Sequence, residues 1–167
     1  MWDDIRVQQL ADNIRQDLDL LKGYEDELRY AAEPRLLAKY QREIKRQRES
    51  LTRNQHEYDA IMKSAQGVIE SHPVPEKELQ DTLNAVQQTL SEMIQSKTEQ
   101  YSTQLVSEVE KVSEIIADPK LDSNHKLKYS IPIIPLILSY EGAVELKSGL
   151  NLKKAWQSLK ARLRGKE

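Results

Sequence analysis

Large apolar residues recur every three or four positions along most of this chain, the spacing of amphipathic helices. The first such stripe predicts a helix from about Asp4 to Tyr30 and comprises Val7, Leu10, Ile14, Leu18, Leu21, Tyr24 and Leu28. Pro34 fits the first turn of a second helix. Its stripe comprises Leu37, Tyr40, Ile44, Gln47, Leu51, Asn54, Tyr58, Ile61 and Ala65. The two stripes predict an antiparallel helical hairpin of the coiled-coil kind.

Two polar residues, Gln47 and Asn54, occupy seam positions of this hairpin. Polar seam residues fix register at some loss of stability. The pattern therefore predicts that leucine at both positions raises thermal stability and loosens the choice of pairing.

Charge also favours the antiparallel pairing. Residues 1–30 hold eight acids and four bases, whereas residues 35–53 hold seven bases and two acids. Folding about residue 32 predicts Asp17 and Asp19 opposite Lys45 and Arg46, and Asp12 opposite Arg53. Exposed ion pairs contribute only ~0.2 to 1 kcal/mol each to stability. We therefore expect these pairs to select the relative orientation of the two helices rather than to hold the fold together.

After a predicted loop over Gly67–Pro75, a third apolar stripe predicts one long helix that ends at Asp118 and Pro119. The stripe comprises Leu79, Leu83, Val86, Leu90, Ile94, Tyr101, Leu105, Val109, Val112 and Ile116. The sequence thus predicts a mostly α fold, an antiparallel three- to four-helix bundle whose first part is residues 1–118.

The second predicted part, residues 119–167, differs in character. A polar loop, Lys120–Lys126, leads to the apolar segment Tyr129–Leu146, which contains Pro132 and Pro135. Because proline is not tolerated inside a regular helix, we expect this segment to be irregular or to form a short strand hairpin. In the hairpin, Tyr140–Ala143 would turn the chain so that Ile137–Tyr140 faces Ala143–Leu146. Whether this segment is a core plug or a contact surface stays open.

A basic amphipathic helix is predicted to follow, with Asn151 as its N-cap. Its apolar stripe is Leu152, Trp156, Leu159 and Leu163. Residues 147–167 hold seven bases and one acid beside Trp156, which we expect to be exposed. This pattern fits a helix at an anionic lipid surface, and it also fits a fourth bundle helix docked on the apolar segment. The second interpretation is favoured.

Composition limits the function classes. The 167 residues include no Cys and no Phe, and 38% are hydrophobic, which excludes thiolate chemistry and suits narrow helix seams. No signal-peptide pattern opens the chain, and the longest apolar run, eight residues, is far short of the ~20 of a spanning helix. We expect a cytoplasmic protein, with the membrane surface as the alternative location.

No residue pattern indicates catalysis. His56, His72 and His125 lie in separate segments without a carboxylate or second histidine at ligand spacing, and no glycine-rich phosphate loop is present. The basic run Arg42–Arg48 fits a solvated helix face better than a nucleic-acid patch. We therefore expect no enzyme activity, cofactor, metal or nucleic-acid partner.

Two stretches carry a resemblance to a known group of modules: LRYAAEPRLLAKYQREIKRQRESLTRNQHEYD and KLKYSIPIIPLILSYEGAVELKSGLNLKKAWQSLK, together about 70 of the 167 residues. They resemble the accessory helical modules attached to NACHT-type NTPase, TIR or caspase-like domains in bacterial conflict and immune signalling proteins. The architecture is also similar to helical-bundle cell-death domains. The resemblance implies an adaptor that recruits a like partner or acts on a membrane.

The predicted function is that of a non-catalytic interaction and signalling adaptor that binds a protein partner or a second copy of itself. A membrane-active effector is the alternative. The residues expected to carry interaction lie at the C-terminal end. They are Ile131, Ile133, Ile134, Leu136, Ile137, Leu138, Tyr140, Trp156, Lys153, Lys154, Lys160, Arg162 and Arg164.

Overall fold

The computed structural model describes residues 3–95, 101–141 and 149–164. Of these described residues 90% are helical and none lies in a strand, which confirms the mostly α class. The helices are α1 (Asp4–Tyr30), α2 (Pro34–Ser71), α3 (Glu76–Gln95), α4 (Thr103–Ala117), α5 (Ser123–Ser130), α6 (Ile134–Glu141) and α7 (Gly149–Arg164). A 3-10 turn, Ile131–Ile133, joins α5 to α6.

Local sequence explains where several helices begin. The Asp3 side chain caps α1 by accepting hydrogen bonds from the backbone N–H groups of Ile5 and Arg6. Ser102 and Asp122 cap α4 and α5 in the same way, and Pro34 occupies the first turn of α2. Each device satisfies or removes an N–H that has no partner within the helix.

The seam between α1 and α2 is built around a buried carboxyl group. Asp17 is 6% exposed. Gln47 Nε2 donates to its Oδ1, Asn54 Nδ2 donates to its Oδ2 at 2.8 Å, and Ser50 Oγ lies 3.1 and 3.2 Å from the two oxygens. Because these donors come from successive turns of α2, they fix which part of α2 lies beside Asp17. We call Asp17, Gln47, Ser50 and Asn54 the seam network.

The ion pairs between α1 and α2 differ from those predicted. The structure pairs Arg6 with Glu57 and Arg48 with Glu25, at 2.5 and 3.4 Å. Asp19 instead pairs with Arg15 of its own helix, and Asp17 belongs to the seam network. The hairpin direction is as predicted, but the specific partners were wrong because polar seam contacts, rather than exposed charges, set the register.

The third stripe forms two helices instead of the predicted single one. The carboxyl end of α3 and the start of α4 flank residues 96–100, which lie outside the described part, and Ser102 opens α4 as a new N-cap. The helices fold back on each other, with Gln87 Nε2 3.4 Å from Ser113 Oγ. Because α3 and α4 fold back on each other, the apolar stripe of each helix is buried against the other helix.

Four further features depart from the sequence predictions. Helix α2 continues through Gly67 to Ser71, so the loop is only His72–Pro75, and α5 begins within the predicted polar loop. Asn151 lies inside α7 and is not its N-cap. Ile137–Tyr140 is helical, so the predicted strand hairpin was wrong; its other arm, residues 143–146, falls outside the described residues.

The prolines are accommodated because of where the helices begin. Pro132 lies within the 3-10 turn and Pro135 in the first turn of α6, where a missing N–H removes no helical hydrogen bond. This segment packs on the α1–α2 hairpin, and Tyr58 Oη donates to the Pro132 carbonyl. On the other side, α3 packs against α4, α5 and α7. Residues from both predicted parts thus share one apolar core.

The seam network reverses the expected effect of leucine at the two polar seam positions. Gln47→Leu/Asn54→Leu leaves the buried Asp17 carboxyl with Ser50 alone, so we expect the free energy of unfolding to fall by about 2 to 4 kcal/mol. Chemical denaturation measures this change. Asn84→Leu/Gln88→Leu is the matched control, because both residues are exposed on α3, and it should change stability by less than about 0.5 kcal/mol. Adding Asp17→Leu to the seam pair should restore stability, and a stable double variant would contradict the network.

Candidate interaction surfaces

The apolar residues predicted to form a C-terminal contact surface lie in the interior. Ile131, Ile134 and Ile137 are at most 1% exposed, and Trp156 is 3% exposed. Ile133 and Tyr140 are also buried, while Leu136 and Leu138 are partly buried against the core. A partner reaches these side chains only if the fold opens.

The basic residues of α7 divide into two groups. Lys153 and Lys154 are exposed on the helix surface. By contrast, Lys160 and Arg164 pair with Asp4 of α1, and the Arg162 guanidinium donates to Glu78 of α3. We call the ion pairs of Lys160, Arg162 and Arg164 with Asp4 and Glu78 the α7 clamp.

The α7 clamp lies partly out of water. The Asp4 and Lys160 side chains are 22% and 21% exposed, with their charged atoms 3.7 Å apart. Burial lowers the pKa of Lys160, and its Nζ lies 5.7 Å from the centre of the Trp156 ring. The end of α7 is therefore held to α1 by charge as well as by its apolar stripe.

A different surface stands open at the far end of the α1–α2 hairpin. Between Leu21 and Ile44 no side chain is fully buried, and we call residues 22–43 the hairpin tip. Tyr30 is 81% exposed and Leu36 is 38% exposed. Tyr24, Leu28, Leu37 and Tyr40 are only partly buried. Two helices alone cannot enclose an apolar stripe, so the tip presents this cluster to its surroundings.

An open groove runs between the two helices where the hairpin tip joins the rest of the hairpin, and three of its seven lining residues belong to the tip. Its apolar floor includes Leu28 and Ile44, and its polar rim is formed by Glu25, Gln41, Lys45, Arg48 and Glu49. We call it the tip groove. Among the described residues, all of its lining comes from α1 and α2.

The position of α6 explains why the groove is open at this level. We call the 3-10 turn and α6 together the α6 segment. Tyr58 contacts Pro132 at the start of this segment, and Tyr140 Oη lies 3.5 Å from Asp19 Oδ1 near its end. The segment therefore covers α1 up to about Asp19. Glu25 and Leu28 lie six and nine residues, about 1.7 and 2.5 helical turns, further along α1.

Sequence reasoning missed the tip because it followed only the regular stripes. Tyr30 and Leu36 lie off the three-and-four spacing to which Leu28 and Leu37 belong, and this displacement was the available signal. Large apolar residues outside a helix's buried stripe face solvent or a partner.

The three histidines are exposed, and the described residues contain no cluster of three side chains suited to a metal ion. None of the described helices has the length and apolar character required to cross a bilayer. Comparisons with family models, curated proteins and solved structures found no match.

We expect the α7 clamp to limit local opening of the end of α7. Asp4→Asn/Glu78→Gln removes its acids, and we expect faster amide hydrogen exchange across Leu159–Arg164 with a stability loss of about 1 to 2 kcal/mol. Glu25→Gln, which removes an exposed pair with Arg48, is the control and should leave α7 exchange unchanged. Unchanged exchange in the clamp variant would mean that the apolar stripe alone holds α7.

Proposed function

We propose that this protein is a non-catalytic interaction module that docks a protein partner through its hairpin tip. The observation that supports this function is the apolar cluster of the tip, presented beyond the last fully buried residues of α1 and α2. Tyrosine side chains in such a position suit protein recognition, because they supply a large contact area at a low cost in conformational entropy. The leucine side chains add apolar area that a partner can bury. The packed helices α3–α7 would support the α1–α2 hairpin that carries the tip.

The membrane-active alternative receives less support. Its apolar anchor, the stripe of Leu152, Trp156, Leu159 and Leu163, is at most 3% exposed. Three of its proposed bases belong to the α7 clamp, which leaves Lys153 and Lys154 exposed on α7. Lipid binding through α7 would first require loss of this packing and of the clamp.

The setting we propose is recruitment within a bacterial defence or cell-death pathway. It rests on the resemblance of the two sequence stretches to accessory modules of such proteins. In that setting the tip would bring the chain, and any effector that works with it, to a signalling complex.

Vesicle co-sedimentation tests the choice between the two functions. We expect the full chain to stay in the supernatant with phosphatidylserine-containing vesicles, at low and at physiological salt, because its apolar stripe is buried. Salt-sensitive sedimentation that disappears in Lys153→Glu/Lys154→Glu would instead establish the membrane function, since each base near an anionic surface contributes ~1 kcal/mol.

The docking role of the tip is tested by crosslinking in cells that express the chain naturally. Tyr30→Ser/Leu36→Ser should abolish the crosslinked adducts formed by the wild type, because it removes the exposed apolar contacts. Ile5→Ser/Leu20→Ser is the matched control, since Ile5 and Leu20 are 72% and 46% exposed but lie outside the tip. Adducts that persist in the tip variant would overturn the proposed function.

A further inference from the structure

We infer that the occupant of the tip groove is the hairpin tip of a second copy of this chain, related by a two-fold axis. This inference deepens the proposed function and rests on it. In such a pair the α1 edge of each groove lies against the α2 edge of the other, and the four tip helices form one small bundle.

The first argument comes from what covers the hairpin below the tip. There, α1 and α2 bury their seam with the help of the 3-10 turn and α6, which pack across both helices. At the tip groove, the described lining comes from the hairpin alone, although Leu28 and Ile44 continue the same apolar seam. A helix packed at this level completes the layer, and the partner's tip supplies two.

The second argument is charge. Residues 22–33, on the α1 side, hold four acids and two bases, whereas residues 34–48, on the α2 side, hold six bases and one acid. A two-fold axis places residue i against residue j and residue j against residue i. The acidic α1 edge of each copy therefore meets the basic α2 edge of the other, so the surface is complementary to itself. Glu25 and Arg48, which pair at 3.4 Å within one chain, would exchange partners between the two copies.

The size of the groove sets the expected strength. Seven residues line it, compared with ~20 to 30 residues per side in a stable interface of standard size. We therefore expect a weak, reversible dimer that forms at micromolar or higher concentration and whose association falls as salt screens the rim charges.

A charge-exchange experiment tests the arrangement. The first variant, Lys45→Glu/Arg48→Glu, makes the α2 edge of the groove acidic. The second, Glu25→Lys/Asp26→Lys, makes the α1 edge basic. Sedimentation velocity over a concentration series measures self-association of each full-length variant alone and of their equimolar mixture, and circular dichroism with thermal unfolding checks that both remain folded.

We expect each variant alone to associate at least about ten-fold more weakly than the wild type, because both of its symmetry-related contacts become like-charged. The mixture should recover association, since its acidic edges again meet basic ones. Arg53→Glu/Lys63→Glu, which reverses two exposed bases elsewhere on α2, is the charge-matched control and should dimerise like the wild type.

Two results would overturn the inference: a wild type that stays monomeric throughout the series, or a mixture that associates no better than its components. Neither result removes the proposed function, because tip-dependent crosslinking to a different protein would still support docking. If the wild type forms no crosslinked adduct that depends on Tyr30 and Leu36, in contrast, both the proposed function and this inference are overturned.

Discussion

The buried carboxyl group of Asp17 is the constraint on which the placement of the hairpin depends. A carboxyl group in an apolar seam needs hydrogen-bond donors, and α2 supplies them from Gln47, Ser50 and Asn54. A shift of α2 by one turn would carry most of these donors out of reach and leave the carboxyl group with fewer hydrogen bonds. The apolar stripes hold the two helices together, whereas this polar contact selects one register among several that would bury similar area.

Register then determines what the rest of the chain can cover. With Asp17 beside Gln47, Tyr58 lies where its hydroxyl reaches the Pro132 carbonyl, and Tyr140 of α6 approaches Asp19. Burial raises the pKa of both tyrosines, so these hydroxyl groups stay protonated donors at physiological pH. The α6 segment reaches the level of Asp19, and the groove beyond it is the surface on which the proposed function and the proposed pairing rest.

The C-terminal end illustrates how one sequence pattern fits opposite environments. An apolar segment followed by a basic amphipathic helix describes a docking surface, a lipid anchor and a core equally well. The structure places Ile131, Ile134 and Trp156 inside and joins the basic end of α7 to Asp4 and Glu78. Those acids lie on helices far away in sequence, so the charge count of residues 147–167 gave no indication that they would be paired.

The sequence by itself determined the helical class, the bounds of α1 and the position where α4 ends, because apolar periodicity, caps and prolines act over a few residues. It also contained the off-stripe positions of Tyr30 and Leu36, although not their exposure. Tertiary structure decided that the third stripe folds back as α3 and α4, that Gln47 and Asn54 bind Asp17, and that the described helices leave the tip groove uncovered. These outcomes depend on contacts between distant segments, since each local pattern is compatible with several partners and only the complete packing selects one.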